Sequence, residues 1–291
     1  MNVVNSLSGG KTSSYLAVHY PADFNIFSLV CIDDHICAPK DKGLIQKIND
    51  KLINSGCLQK HGEFIATAED DKTLKIIFDL EQKIGREITW LRGASFDKLI
   101  KQKKMLPYKF VRFCTTEMKM KTIGEWAVPI MEQTAIDGIP QKLMNNVGIR
   151  YDEDNRVKED RELYTKIKVG QSANGRNKWR NVNWGVVNYP LVYDKVLVYH
   201  IRKYWAKYPE FIFPDDSNCV GCFHKSKQQL RKNFDDNPDK FNWFARQESE
   251  NVDKKYKWKD GTTYNNIKKL GLQSDFFYGE GAGCNSGFCT D

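Results

Sequence analysis

The first half of the chain alternates apolar runs of strand length with amphipathic segments. The strands that these runs predict are residues 2–7, 24–32, 87–92 and 143–149. The helices that the amphipathic segments predict are residues 12–19, 44–53, 74–84 and 95–104, with Ser95 as a cap and with Gly56 and Gly85 as stop signals. This alternation indicates an α/β fold, with a doubly wound, mainly parallel sheet and helices on both faces. Ligands of such sheets bind at the carboxyl ends of the strands.

The second half has a different character. Residues 159–184 are polar, basic and rich in Asn and Gly, which is typical of an inserted loop or hairpin, and we expect this segment to be mobile. The helices predicted after it are residues 193–208 with Asp194 as cap, 226–234, and 238–250 with Asn237 as cap and Pro238 in first position. The regions that we expect are a core at 1–158, a basic polar insertion at 159–184, and a mostly helical, cysteine-containing C-terminal region at 185–291.

Composition narrows the class of protein. The 291 residues are 41% hydrophobic, which is enough for a core and excludes wholesale disorder. No apolar run approaches the roughly 18–20 residues of a membrane helix. The N-terminus lacks the basic stretch and apolar core of a secretory signal, so we expect a cytoplasmic protein without membrane contact. The net charge of +8 favours an anionic partner such as a nucleotide, a nucleic acid or a sulfate ester.

A segment rich in glycine and hydroxyl groups joins the first strand to the first helix. Its residues are Ser8, Gly9, Gly10, Lys11, Thr12, Ser13 and Ser14. The two glycines allow the backbone to approach an anion closely, and the helix N-terminus offers unpaired N–H groups and partial positive charge. The lysine and the hydroxyls add further donors. The segment is not the Walker pattern, but it predicts a site for nucleotide phosphates, with an ordinary tight turn as the alternative.

The cysteines are unevenly distributed. Because the chain is long and has no secretory signal, thiols, metal ligands or redox chemistry are favoured over a disulfide scaffold. Cys219 and Cys222 form a Cys-x-x-Cys pair in a turn that contains glycine, which places two thiolates on one metal ion. The missing ligands come either from Cys114 or from Cys284 and Cys289. The tail pair also fits a redox dithiol or a persulfide carrier, and residues 279–291 would become ordered around a metal.

The phosphate segment resembles the PP-loop, Ser-Gly-Gly-x-Asp-Ser, of the adenine nucleotide α-hydrolase-like superfamily. Further segments narrow the resemblance to its PAPS reductase-like branch. They are Ile88-Thr89-Trp90-Leu91-Arg92-Gly93, Arg112-Phe113-Cys114-Thr115 with Lys119, Gly148-Ile149-Arg150-Tyr151-Asp152-Glu153 with Arg156, Tyr189-Pro190-Leu191, and Asn218-Cys219-Val220-Gly221-Cys222. These segments follow one another in the order that the family shows, and their combination is specific.

The resemblance implies a Rossmann-like sheet of the HUP type, with residues 1–158 as its nucleotide-binding core, that takes ATP or a related adenine nucleotide such as PAPS. ATP-using relatives cleave between the α- and β-phosphates, adenylate a substrate and release pyrophosphate, whereas PAPS reductases cleave a sulfate from the nucleotide. Thr12 stands where the ATP-cleaving relatives usually carry Asp, a residue on the Mg²⁺ side, which leaves the use of Mg²⁺ open.

The resemblance also implies a set of site residues. Fixed charges stabilise the negative charge that develops on a reacting phosphate, and those expected here are Lys11, Arg112, Lys119, Arg150 and Arg156, with surface salt bridges as the alternative. Gly93 and Gly148 are expected to bind the cofactor because they belong to segments that resemble those of the family. Asp33 ends the second strand at the ligand edge, where it contacts the ribose or caps a turn.

For the cysteines, the resemblance favours Cys114 as the partner of Cys219 and Cys222. Iron–sulfur relatives carry cluster cysteines at both segments, so a [4Fe–4S] cluster is expected, with one open iron or with Cys284 or Cys289 as fourth ligand. The competing interpretation is a structural zinc ion held by Cys219, Cys222, Cys284 and Cys289.

These expectations converge on an adenine-nucleotide-dependent sulfur-transfer enzyme that adenylates its acceptor, similar to the sulfurtransferases of DNA phosphorothioation and tRNA thiolation. Its partners would include a sulfur donor or reductant protein. The basic segment 166–180, with Trp179 and Trp184 interleaved, predicts contact with a nucleic acid acceptor, or else a solvated loop. The alternatives are a PAPS or adenylyl-sulfate reductase, whose Glu-Cys-Gly-[Ile/Leu]-His tail this chain lacks, and a nucleotide- or nucleic-acid-binding module without catalysis.

Overall fold

The computed structural model describes residues 1–216, 219–250 and 256–271. The strands of these ranges are β1 (Val3–Leu7), β2 (Phe24–Leu29), β3 (Cys31–Ile32), β4 (Ala66–Thr67), β5 (Ile88–Arg92), β6 (Leu143–Val147), β7 (Glu162–Gln171) and β8 (Asn177–Asn188). The helices are α1 (Lys11–His19), α2 (Lys42–Asn54), α3 (Cys57–His61), α4 (Asp71–Ile84), α5 (Phe96–Lys103), α6 (Lys121–Gln133), α7 (Pro190–Tyr193), α8 (Val198–Trp205), α9 (Lys227–Asp236), α10 (Pro238–Glu250) and α11 (Tyr264–Ile267). A π-helix, Cys114–Met120, leads into α6.

Six strands form the central sheet in the order β5-β2-β1-β6-β8-β7. All neighbouring pairs are parallel except β7 and β8, which are antiparallel. The expected α/β class with a mainly parallel sheet is therefore confirmed. The chain passes from β1 to β2 on one side and later adds β6 on the other, so a crevice opens beyond the carboxyl ends of β1 and β6.

Local sequence signals explain where several helices begin and end. Asp41 accepts a hydrogen bond from the Leu44 N–H (3.1 Å) and Asp70 accepts one from the Lys72 N–H (2.8 Å), so each caps a helix. Gly85 ends α4 at φ 60°, in the left-handed region that the stop signal anticipates.

Two predicted elements were wrong, and one long helix was missed. The run 24–32 is two strands, because β3 leaves the central sheet and pairs with β4. The helix predicted at 193–208 starts only at Val198, since Lys195 at φ 54° separates α8 from α7. Asp194 is the C-terminal cap residue of α7, and its side chain accepts a hydrogen bond from the Tyr20 hydroxyl and does not cap the start of a helix. The 13-residue helix α6 was not predicted at all, because Gly124 and Pro129 interrupt its pattern.

The basic segment 159–184 is a hairpin, one of the two forms expected for it. Its second strand, β8, runs on to Asn188 and pairs with β6, so the boundary drawn at residue 184 falls inside a strand of the central sheet. The hairpin is thus continuous with the sheet, and β7 forms one of its edges.

Two groups of buried residues stabilise the fold. The sheet core surrounds the central sheet and is largely aliphatic, with Leu16, Ile26 and Ile77 among its members. The aromatic core packs beside it and contains, with others, Phe96, Phe241, Trp243, Phe244, Trp258 and Tyr264. Among the helices of the described ranges, none combines the length and apolar character needed to span a bilayer.

A row of asparagines crosses the central sheet within the sheet core. Asn25, Asn5, Asn146 and Asn188 occupy matching register positions on β2, β1, β6 and β8. Each side chain donates to the next: Asn188 to Asn146 (2.7 Å), Asn146 to Asn5 (2.9 Å) and Asn5 to Asn25 (3.1 Å). Because a buried amide without a partner is costly, the row specifies the register of these four strands.

A candidate nucleotide site beside a cluster of thiols

The phosphate loop, residues 8–14, leaves β1 at the carboxyl edge of the sheet. The Ser13 hydroxyl braces it, accepting from the Ser8 N–H (3.1 Å) and donating to the Gly10 carbonyl (3.1 Å). Gly9 has φ 71°, and a Cβ there would stand 2.5 Å from Thr73 Cγ2 on α4. Both the left-handed backbone and the close approach of α4 therefore require glycine at this position.

Helix α1 starts inside this loop, with Gly10 as its N-cap residue and without a side-chain cap. The N–H groups of its first turn are therefore left for an external acceptor, as a phosphate site requires. Ser14 is fully buried, and its hydroxyl has no hydrogen-bond partner among the described residues. Lys11, the first helical residue, is exposed, and its carbonyl accepts a hydrogen bond from the Trp205 indole (2.9 Å).

The end of β6 approaches the same loop. A Cβ on Gly148 would stand 3.3 Å from Ser13 Cα, so this residue packs directly against the first turn of α1. Arg150 reaches the Thr12 hydroxyl with Nη1 (3.4 Å). Its guanidinium is also held by Asp152 (3.1 Å) and by Glu153 (3.3 Å).

Acidic neighbours orient the two arginines of this segment. Glu153 bridges them, since it contacts Arg150 with one carboxylate oxygen and Arg156 with the other (2.8 Å). Burial raises the pKa of Asp152, but the hydrogen bonds and charge of Arg150 outweigh it and leave the pKa below its ordinary value. Asp152 and Glu153 thereby hold the Arg150 guanidinium beside the phosphate loop.

Lys119 lies near the thiols of Cys114 and Cys219. Its ammonium pairs with the buried Glu69 carboxylate (3.4 Å), and Glu69 forms a backbone bridge with Cys219. Burial lowers the pKa of Lys119, but the charge of Glu69 and its hydrogen bond to the ammonium oppose this effect, and the pKa is raised overall. The Arg112 carbonyl accepts from the Thr115 N–H (3.0 Å) at the start of the π-helix.

Cys114, Cys219 and Cys222 are free, partly accessible thiols. Burial, with a contribution from the nearby Cys222, raises the pKa of Cys114 to about 12. Burial also raises the pKa of Cys219 well above its ordinary value, with contributions from Glu69, Cys222 and Cys114. Thiols that perturb one another in this way share one neighbourhood. Within the described ranges, no group of three or more Cys, His, Asp or Glu side chains is arranged to hold a metal ion.

The turn that carries the late cysteine pair rests on the aromatic core. A Cβ on Gly221 would stand 2.4 Å from Phe244 Cγ, and the Gly221 carbonyl accepts a hydrogen bond from the Tyr264 hydroxyl (2.9 Å). This close approach gives the glycine of the Cys-x-x-Cys turn a packing role. Cys284 and Cys289 lie outside the described residues.

Two further expected site residues have internal partners. Asp33 accepts a hydrogen bond from the Ser95 hydroxyl (2.6 Å) and pairs with Lys98 (3.5 Å). Ser95 occupies the N-cap position of α5, but its hydroxyl donates to Asp33 and does not cap the helix. A Cβ on Gly93 would stand 2.4 Å from Thr122 Oγ1, which makes this glycine a point of close packing against α6.

A short segment joins the phosphate loop to the thiols. Thr73 on the first turn of α4 contacts Gly9, while Glu69, four residues earlier, contacts Lys119 and Cys219. The sequence reasoning missed both residues, although the run Glu69-Asp70-Asp71 before an amphipathic helix is a visible signal. A comparison with protein-family models, curated proteins and solved structures finds no match to this chain.

Proposed function

We propose that the chain is an adenine-nucleotide-dependent sulfur-transfer enzyme of the PAPS reductase-like type, with a HUP-type sheet, which adenylates its acceptor. The observation that carries the proposal is the segment 69–73, which contacts the phosphate loop at one end and the thiols at the other. A nucleotide bound at the loop would have its phosphates near groups suited to sulfur chemistry.

The proposed reaction has two steps. An acceptor oxygen attacks the α-phosphorus of ATP, and the bond to the β-phosphate oxygen breaks, so that pyrophosphate leaves. A hydrosulfide from a sulfur donor then displaces AMP, which carries away the acceptor oxygen. Lys11, Arg150 and the N–H groups at the start of α1 stabilise the charge that builds up on the phosphate oxygens, while Asp152 and Glu153 hold Arg150 in position.

A metal centre is part of the proposal, either a [4Fe–4S] cluster or zinc. Its support is the type of donor and not an assembled site: the described Cys114, Cys219 and Cys222 lie near one another without forming a group arranged to hold a metal, and thiolates are the ligands that such metals prefer. When bound, the metal would keep the thiols deprotonated and supply a site that binds sulfur. Two further candidate ligands, Cys284 and Cys289, belong to the same proposal.

The first experiment measures nucleotide binding and turnover on the full chain. Lys11→Gln is compared with Lys42→Gln, because both lysines are exposed and both occupy the first position of a helix. We expect ATP to bind the native chain and the Lys42 variant alike and the Lys11 variant at least tenfold more weakly. With a nucleic acid acceptor and sulfide, ATP should yield AMP and pyrophosphate in equal amounts. Repeating the assay without Mg²⁺ tests whether the reaction needs this ion, since Thr12 stands where the ATP-cleaving relatives usually carry Asp.

The outcomes separate the alternatives. Absence of AMP and pyrophosphate under all these conditions, despite tight ATP binding, would contradict the enzyme and favour a nucleotide-binding module. Sulfite release from PAPS with a dithiol reductant would favour the reductase.

The metal is tested by measuring iron, acid-labile sulfide and zinc on protein purified without oxygen. Cys114→Ala is compared with Cys57→Ala, a thiol of the sheet core. Iron with sulfide, lost only in the Cys114 variant, is the expected result. Stoichiometric zinc that persists in the Cys114 variant would contradict the cluster.

A further inference from the structure

A groove runs between the edge hairpin and the helix that starts at the thiols. Its volume is about 780 Å³, within the range of ligand sites. Its lining includes Met120, Lys121, Arg161, Tyr164, Lys166 and Trp179. The π-helix that forms one wall begins at Cys114, so the groove and the thiols share an element.

Exposed aromatic and basic side chains share one face of the hairpin. Lys168 pairs directly with Trp179 across the strands, and Lys166 pairs with Asn181 in the same register, two residues further along. Alternation along β7 puts Tyr164 on the same face. Trp179 is 54% exposed and Tyr164 49% exposed, so both rings are accessible to a ligand.

The charge of the hairpin is one-sided. Residues 163–184 contain Lys166, Lys168, Arg176, Lys178 and Arg180 and no Asp or Glu. Among the described residues, no carboxylate pairs with any of the three lysines.

The carboxylates that line the groove have partners of their own. Glu162 bonds to Lys142 (2.9 Å), and Glu117 pairs with Lys103 (3.0 Å). They therefore offset little of the positive potential that the hairpin presents to an anion.

Two buried polar atoms also line the groove. Thr165 is 4% exposed, and neither its Oγ1 nor the Nη1 of Arg161 has a hydrogen-bond partner within the part of the chain that the structure describes. Buried polar groups normally have partners, so both atoms are exceptions that lie beside the groove.

We propose that this groove binds single-stranded nucleic acid, with bases stacked on Trp179 and Tyr164 and phosphates bound by Lys166 and Lys168. Every base has a face that stacks on an aromatic ring, and a backbone of phosphates matches a row of lysines. A base in a duplex is already stacked and paired, so the aromatic face favours a single strand. As the acceptor surface of the enzyme, the groove rests on the proposed function; as a binding surface it is tested separately.

The test is fluorescence anisotropy of a labelled mixed-sequence 12-nucleotide single strand with the full chain, as DNA and as RNA, against the same sequence as a duplex. Stacking on one ring contributes about 1–3 kcal/mol, so Trp179→Ala should weaken binding roughly 5- to 150-fold. Trp179→Phe, which keeps a ring, should restore most of the affinity. Since the ring is largely exposed, its removal should leave the melting temperature unchanged.

The charge is tested with the double variant Lys166→Glu, Lys168→Glu. Its matched control is Lys42→Glu, Lys47→Glu, which makes the same charge change on exposed lysines of α2. Because the hairpin variant no longer neutralises two phosphates, its slope of log affinity against log salt should become shallower by about 1.4, whereas the control should keep the native slope.

Three outcomes overturn the inference: an affinity unchanged by Trp179→Ala, equal weakening by the hairpin pair and the α2 pair, or a duplex bound as tightly as the single strand. A failure of the proposed function can be distinguished from a failure of this inference, because ATP binding is measured in the same variants. We expect Lys11→Gln to lose ATP binding and to keep oligonucleotide binding. A chain that binds the single strand but never cleaves ATP would support the groove as a binding surface and contradict the proposed enzyme.

Discussion

The two cores of this protein are built in different ways and carry different parts of the candidate site. The sheet core is assembled from successive strand–helix units and carries the phosphate loop. The aromatic core is assembled from α5, the π-helix and α9–α11, which are far apart in sequence, and it supports the thiols. The phosphate loop thus rests on locally determined structure, whereas the position of the thiols depends on packing between distant segments, and we expect the thiols to be the more sensitive to a single change.

The largest expected effect comes from the aromatic core. Trp258 is 1% exposed, and its indole donates to the Phe244 carbonyl (2.8 Å). Trp258→Ala should lower the free energy of unfolding by about 3–5 kcal/mol, as other buried large-to-small changes do. Urea denaturation followed by circular dichroism measures it.

Trp179→Ala is the control for that change, and as an exposed residue it should cost less than about 0.5 kcal/mol. If the two cores differ as described, Trp258→Ala should also expose Cys219 and Cys222 to a thiol reagent faster while ATP binding changes little. Equal loss of both properties would show that the cores act as one unit.

The phosphate loop can be tested with two glycines of nearly equal conformation. Gly9 has φ 71° and meets Thr73, whereas Gly56 has φ 70° and has no atom within 4 Å of the position of a Cβ. Gly56→Ala should cost only the left-handed strain, about 1–2 kcal/mol. Gly9→Ala should cost about 1–3 kcal/mol more through overpacking against α4.

Denaturation of the two variants measures that difference. ATP affinity should fall in Gly9→Ala and not in Gly56→Ala. If the two alanines had equal costs, the close approach of α4 would play no part in shaping the loop.

The asparagine row tests the register of the sheet core. Asn146→Ala removes the donor to Asn5 and the acceptor for Asn188, which should cost about 1–3 kcal/mol because buried partners are left unsatisfied. The exposed Asn181→Ala is its control and should be nearly neutral. A neutral Asn146→Ala would mean that the apolar members of the sheet core alone specify the register.

The smallest expected effect concerns pH. The pKa of Asp152 is lowered in the folded protein, so its contribution is present above the unfolded value of about 3.9 and is lost as pH falls through the folded value. The melting temperature of the native chain should exceed that of Asp152→Asn above about pH 4, and the difference should vanish at lower pH. A difference that persists at about pH 2 would assign the effect to packing instead of charge.

Sequence reasoning was most accurate where structure is determined locally. The strands at 2–7, 87–92 and 143–149, and the helix stops such as Gly85, follow from periodicity and turn chemistry that neighbouring residues determine. It was least accurate where distant segments decide the outcome. Cys31 and Ile32 leave the sheet because Ala66 and Thr67 are available as a partner strand, and no local pattern records this.

The same distinction applies to the site. Residues 8–14 were identifiable because a loop between a strand and a helix is a local feature. Glu69 was not, because its importance comes from Lys119 and Cys219, which are 50 and 150 residues away and contact it only after folding.

The asparagine row also has a consequence for how the chain is made. Asn5 and Asn25 are 20 residues apart and emerge early from the ribosome, but Asn146, which donates to Asn5, follows 141 residues later. Any sheet that buries β1 before then leaves an amide oxygen without a donor, at a cost of about 1–3 kcal/mol. Premature closure around the N-terminal strands is therefore penalised, and the nascent chain gains full stability only when its later strands arrive to complete the row.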